Sequence, residues 1–170
     1  AKNAFSSPDG LWFSKATGIC WIQTDDGAFT DETNCMLLAS VPGTVGDGGE
    51  FYVNNSLTTG SGTTAATTTS ITKTFIGGVL GESRLRRFLV APKGAEVTGL
   101  TETADGKTLF VNIQHPGENT AAWGATATTL TTESTWPGNG GGLAAAYGVA
   151  GRPRSATLVI TKNDGGKIGL

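Results

Sequence analysis

The sequence predicts an all-β protein made of short strands and tight turns, and three observations lead there. Glycine (26) and threonine (27) together supply almost a third of the chain, a composition suited to turns and half-buried strands. Apolar runs of three to six residues are bounded by Pro-Asp-Gly, Asp-Asp-Gly and Ala-Asp-Gly. Runs of Leu, Glu, Lys and Ala are scarce, which argues against helical bundles and coiled coils. With 170 residues and 17.3 kDa, the chain has room for one domain or a portion of one.

The strands follow in order. Pro8-Asp9-Gly10 is a turn that leads into Leu11-Trp12-Phe13. Gly18 opens Ile19-Cys20-Trp21-Ile22-Gln23-Thr24, and the chain turns again at Asp25-Asp26-Gly27. Cys35 to Ala39 is a third strand and Phe51-Tyr52-Val53 a fourth. Leu85 to Val90, Glu96 to Thr101, Thr108 to Ile113 and Ala156 to Thr161 complete the set. Asp105-Gly106 is a hairpin dipeptide and joins the seventh of these units to the one before it. No shift of composition divides the chain, so 1–170 reads as one segment. Two stretches of biased composition, 56–74 (Thr, Ser, Gly) and 117–142 (Ala, Thr, Gly), read as long loops.

A weak internal repeat runs through these strands. Gly10-Leu11, Gly18 and Ile22-Gln23-Thr24 resemble Gly99-Leu100, Gly106 and Ile113-Gln114-His115, at a period of nearly 90 residues and with uneven spacing. Read as propeller blades with large insertions, two such units are too few to close a ring, which takes 4 to 8. The chain therefore reads as an arc of a larger object.

Composition excludes several functions. Twelve basic residues against fourteen acidic ones give a net charge of −2 with no polybasic block, so nucleic acid is not an expected partner. The longest weakly apolar stretch, Leu143 to Ala150, is far shorter than the roughly 20 residues of a membrane helix, and no membrane partner is expected. No charged-then-apolar leader stands at Ala1, which leaves room for a removed signal or a larger N-terminal portion. Cys20 and Cys35 fit no zinc-ribbon spacing, and His115 is the single histidine. A Cys20–Cys35 disulfide and a pair of buried thiols both stay open.

Chemistry concentrates at the strand ends. Asp9, Asp25, Asp26 and Glu96 lie where turns meet strands. In an arc of blades such positions converge, and carboxylates brought together tolerate their charge only with cations between them. Oxygen donors alone select hard ions, calcium or magnesium. The plainer reading is turn capping, which Asp beside Gly does routinely. In Arg84-Leu85-Arg86-Arg87, one guanidinium could clamp an oxyanion, and the alternative is a solvated strand face. His115 sits at a strand end before Pro116-Gly117, a position compatible with a functional or a packed histidine. Gly106-Lys107-Thr108 imitates the end of a phosphate-binding loop but lacks its first glycine and lies in a hairpin. No serine-nucleophile elbow occurs.

Several stretches resemble the PhoX-type alkaline phosphatases. They are Phe5-Ser6-Ser7-Pro8-Asp9-Gly10-Leu11-Trp12-Phe13, Trp21-Ile22-Gln23-Thr24-Asp25 and Arg87 through Gly99, then Phe110 through Glu118 and Ser134-Thr135-Trp136-Pro137. Arg154-Ser155-Ala156-Thr157 and Asp164-Gly165-Gly166 fit the end of that family's sequence. The resemblance implies a six-bladed β-propeller, of which this chain is the C-terminal portion, about two blades with long insertions. It implies an exported, periplasmic or secreted phosphomonoesterase with calcium and iron. By resemblance Asp9, Glu96 and, more weakly, Asp25 are calcium carboxylates, while His115 and Arg87 lie near the phosphate or behind its ligands. The family's cysteine and glutamate iron ligands belong to an earlier part of the chain, and Cys20 does not match that motif. Partners so implied are a phosphate monoester and the remaining blades, or further copies of the chain closing the ring. A segment of this size is expected to be inactive alone. The competing expectation is a non-catalytic exported β module that binds calcium or carbohydrate through its acidic turns.

Overall fold

The computed structural model describes residues 5–27, 32–43, 48–76, 83–121, 132–138 and 153–170. Among them the strands are β1 (Pro8–Phe13), β2 (Cys20–Thr24), β3 (Met36–Ser40), β4 (Glu50–Thr59), β5 (Ala66–Phe75), β6 (Leu85–Val90), β7 (Glu96–Glu102), β8 (Thr108–Gln114) and β9 (Ala156–Thr161). Among the described residues the one helical element is a 3-10 turn, Gly62–Thr64. No described helix is long and apolar enough to cross a membrane. The protein is all-β, and the chain forms two compact units, 1–41 with 82–170, and 42–81.

The first unit holds two antiparallel sheets, β1-β2-β3-β6 and β7-β8-β9. Alternation sends Cys35 and Leu37 of the first sheet and Leu109, Val111 and Ile113 of the second toward one another. Together with Ile19, Trp21, Val97 and Ile168 they form the core between the sheets. A bulge in the β3–β6 pairing falls between Leu37 and Leu38, and the Phe88 ring meets Trp21 edge-on at 4.8 Å.

The internal repeat is stricter in space than in sequence. In the β1–β2 pair Pro8 faces Thr24, Leu11 faces Ile22 and Phe13 faces Cys20. In the β7–β8 pair Val97 faces Ile113, Leu100 faces Val111 and Glu102 faces Leu109. Every position recurs 89 residues later, including the bulges between Pro8 and Leu11 and between Val97 and Leu100. The turns repeat too: Ser14 N–H donates to the Ile19 carbonyl, and Thr103 N–H to that of Thr108. A glycine sits inside each bulge. A Cβ on Gly10 would press on the Gln23 side chain, and one on Gly99 would reach Asn112 Nδ2 at 3.0 Å. The equivalent of Ile22 is therefore Val111 and that of Gly18 is Lys107, so matching Ile22 to Ile113 and Gly18 to Gly106 made the sequence repeat uneven.

The second unit corrects the loop expected at 56–74. Its residues belong to a ribbon in which Glu50–Thr59 pairs with Ala66–Phe75 over ten residues, from Glu50 facing Phe75 to Thr59 facing Ala66. β-Branched threonines suit extended backbone even without apolar alternation. Of the loop expected at 117–142, residues 122–131 and 139–142 lie outside the described residues.

The cysteines are free and buried. Cys20 faces Ser40 in the β2–β3 register, whereas Cys35 precedes the opposite end of β3. Five strand positions separate them, roughly 16 Å at the usual strand rise, against the roughly 7 Å Cα limit of a disulfide. The Cys20–Cys35 bridge is thus excluded by register.

Candidate functional site

In an antiparallel meander the starts of alternate strands and the ends of those between them share one edge. Asp9 at the start of β1, Asp25 and Asp26 after β2, Cys35 before β3, Glu96 at the start of β7 and His115 after β8 therefore gather at one end of the two sheets. A cleft of 580 Å³ opens there, and Asp25, Asp26, Cys35, Lys93, His115, Glu118 and Glu133 contribute its ionisable groups.

Glu96 is the buried member, 9% exposed. Its carboxyl is pushed above the usual glutamate range, chiefly by burial and next by the negative charge of Asp25; a hydrogen bond and positive charge from His115 pull it back, and Asp9 pushes it up again. Asp9 and Asp25, the other two carboxylates singled out in the sequence, thus both act on Glu96 electrostatically. Asp9 and Asp25 are themselves exposed. Among the described residues no three His, Cys, Asp or Glu side chains form a metal site by themselves.

His115 is held by its surroundings. Its backbone takes φ 38°, uncommon for a non-glycine residue, and its N–H donates to Ser155 Oγ at 3.0 Å. Nδ1 lies 2.7 Å from Glu118 Oε2 and Nε2 3.4 Å from Glu96 Oε2. Below it two turns cross: Gly117 N–H donates to the Lys93 carbonyl and Glu118 N–H to that of Gly94. Lys93 Nζ reaches Glu133 Oε1 at 3.2 Å, and the Glu133 N–H donates to Thr120 Oγ1.

Asp26, 7% exposed, accepts a hydrogen bond from Ser6 Oγ at 2.8 Å, and its N–H points at Cys35 Sγ at 3.1 Å. By the 89-residue offset Asp26 occupies the place of His115 in the other repeat, and Asp25 that of Gln114. Arg87 stands apart from this end. It faces Leu38 within β6 and lines a different cleft with Ile19, Arg84, Arg86 and Gly169.

Sequence reasoning thus found Asp25 and His115 on the cleft and Glu96 beside it, and missed Glu118, Glu133 and Lys93. The Gln-His-Pro-Gly-Glu run was a signal for Glu118, since a Pro-Gly turn folds the glutamate back onto the histidine. Glu133 carried no such signal.

A model of the alkaline phosphatase PhoX family matches residues 1–117. The chain belongs to that family. A PhoX structure from Pseudomonas fluorescens, in complex with vanadate, a transition state analogue, is 33% identical over 98% of this chain, with a TM-score of 0.55. The two sheets are accordingly part of a β-propeller. The chain spans 20% of that PhoX chain. No curated protein matches it.

Proposed function

We propose that this chain is a segment of a PhoX-type phosphomonoesterase, about two blades of a six-bladed propeller, and that it supplies calcium-site carboxylates to a centre completed by the rest of the protein. The observation that carries the reading is that Asp9 at the start of β1, Asp25 just after β2 and Glu96 at the start of β7 gather at one end of the two sheets, beside a cleft that Asp25 lines. Carboxylates so placed fit a hard divalent ion, and family membership supports calcium there, with iron held by residues outside this chain. When bound, calcium neutralises charge on the phosphate oxygens. Glu96, buried at the start of β7, stands beside the cleft, and Asp25 lines it. His115 and Lys93 line the cleft that an anion would enter. Arg87 lines another cleft, with Ile19, Arg84 and Arg86.

Leu11 and Phe13, 60% and 61% exposed on β1, form an apolar face that a neighbouring blade of the full-length protein would cover. Export to the periplasm or beyond follows the family. The isolated chain turns over no p-nitrophenyl phosphate with calcium and iron present. In the full-length protein, Asp25→Asn and Glu96→Gln each lower kcat/KM by about 100-fold or more and reduce bound calcium. Full activity and calcium content in Glu96→Gln would end the proposal.

A further inference from the structure

The second sheet is one strand short of the first. β7 and β8 take the places of β1 and β2 in the repeat. β9 takes that of β3: Leu38 faces Ile22 and Ser40 faces Cys20, as Leu158 faces Val111 and Ile160 faces Leu109. In the first sheet β6 then pairs antiparallel with the far side of β3, and Leu38 there is fully buried. Among the described residues nothing pairs with the corresponding side of β9. Its residues alternate between half-buried and exposed; Leu158, at the place of Leu38, is half-buried, and Val159 is 64% exposed. Alternate residues of an edge strand turn their N–H and C=O groups outward, so about three of the six residues of β9 leave both unbonded to β8.

Residues 162–170 do not provide the absent strand. They form turns, with Ile168 buried in the core and its N–H donating to the Gly106 carbonyl. A propeller blade is a four-stranded sheet, and the chain spans 20% of the PhoX chain it matches. We propose that the outer edge of β9 is the docking site of an extended segment of the full-length protein that lies outside these 170 residues, added antiparallel to β9 as β6 is added to β3. Main-chain hydrogen bonds hold it, and alternate side chains set its identity. Room for those side chains is present. A cleft of 520 Å³ bordered by both sheets is lined in part by Leu89, Ile113, Trp136 and Leu158, which calls for apolar residues at every second position of the incoming strand. Leu158 and Ile160 already pack against the core on that side. Such a strand ties a distant part of the protein to this blade and removes an edge open to pairing with other molecules.

The inference rests on the propeller fold and not on the calcium centre, so either idea can fail alone. The test is amide hydrogen exchange at single-residue resolution in the 170-residue chain and in the full-length protein, with the oligomeric state of each fixed by sedimentation. In the 170-residue chain the β9 amides alternate, those bonded to β8 slow and those between them fast. In the monomeric full-length protein the fast ones slow by roughly 100-fold or more, beyond any change in β8, whose amides are bonded in both and report stability alone. Protection of every β9 amide in the 170-residue chain overturns the proposal, because the added strand then comes from within it. So do β9 amides that stay fast in the full-length monomer, and so does protection that arises only in a dimer, which assigns the edge to a second copy. If the β8 amides of the 170-residue chain are unprotected, that chain is unfolded and the full-length monomer decides the matter by itself.

Discussion

Gly94 lies where the two turns under His115 cross, and replacing it with alanine measures how tightly the cleft floor is packed. Gly94 has φ +64°, and a Cβ there would stand 2.6 Å from Glu133 Oε2 and 3.0 Å from both Glu118 N and Gly117 Cα. Two of those three atoms are backbone and cannot swing aside. Gly165 offers the matched control, with φ +70° and nothing within 4 Å of its would-be Cβ. Both substitutions place an L-residue in the left-handed region at about 1–2 kcal/mol, and both lower the entropy of the unfolded chain equally. These contributions cancel between the variants. What remains for Gly94→Ala is overpacking, about 1–3 kcal/mol. For a chain of this size each kcal/mol moves Tm by about 2–4 °C, so Gly94→Ala should melt about 2–12 °C below Gly165→Ala. Thermal unfolding followed by circular dichroism gives the difference directly. Equal melting temperatures would show that the crossing at Gly94 is loose and that Glu133 and Glu118 are not fixed by it.

Two further outcomes are expected. A carboxyl pushed up in the folded state lends stability that is fully present below its unfolded pKa of 4.5 and is lost as pH rises through the raised value. Without divalent cations, Glu96→Gln should therefore melt progressively higher than the unsubstituted chain as pH climbs through that window, the two meeting on the acid side; a Tm difference that ignores pH counts against the burial of Glu96. Burial also pushes the Cys20 and Cys35 thiols up, in Cys35 against opposing hydrogen bonds from the Asp26 N–H and Thr24. Both should react with a disulfide reagent only after denaturation, and the oxidised native chain should keep two titratable thiols; rapid labelling of the native protein would refute this.

The local grammar of this protein is written in its sequence. Turn dipeptides and apolar alternation place β1, β2, β3, β6, β7, β8 and β9, because those signals depend on near neighbours alone. The acidic residues at strand starts are legible for the same reason, and antiparallel geometry then forces them to one end. Phe51-Tyr52-Val53 marked only the start of β4, and the rest of the β4–β5 ribbon escaped, since a threonine-rich strand exposed on both faces carries no apolar period to read. Tertiary structure decided the rest. Register put Cys20 and Cys35 at opposite ends of one strand pair, and set Arg87 three residues down β6, away from the cleft. The crossing of the Lys93–Gly94 and Pro116–Gly117 turns brought Lys93, Glu118 and Glu133 beneath His115, residues up to forty positions apart. Such proximity follows from how two sheets pack on a shared core, and no short window of sequence encodes it.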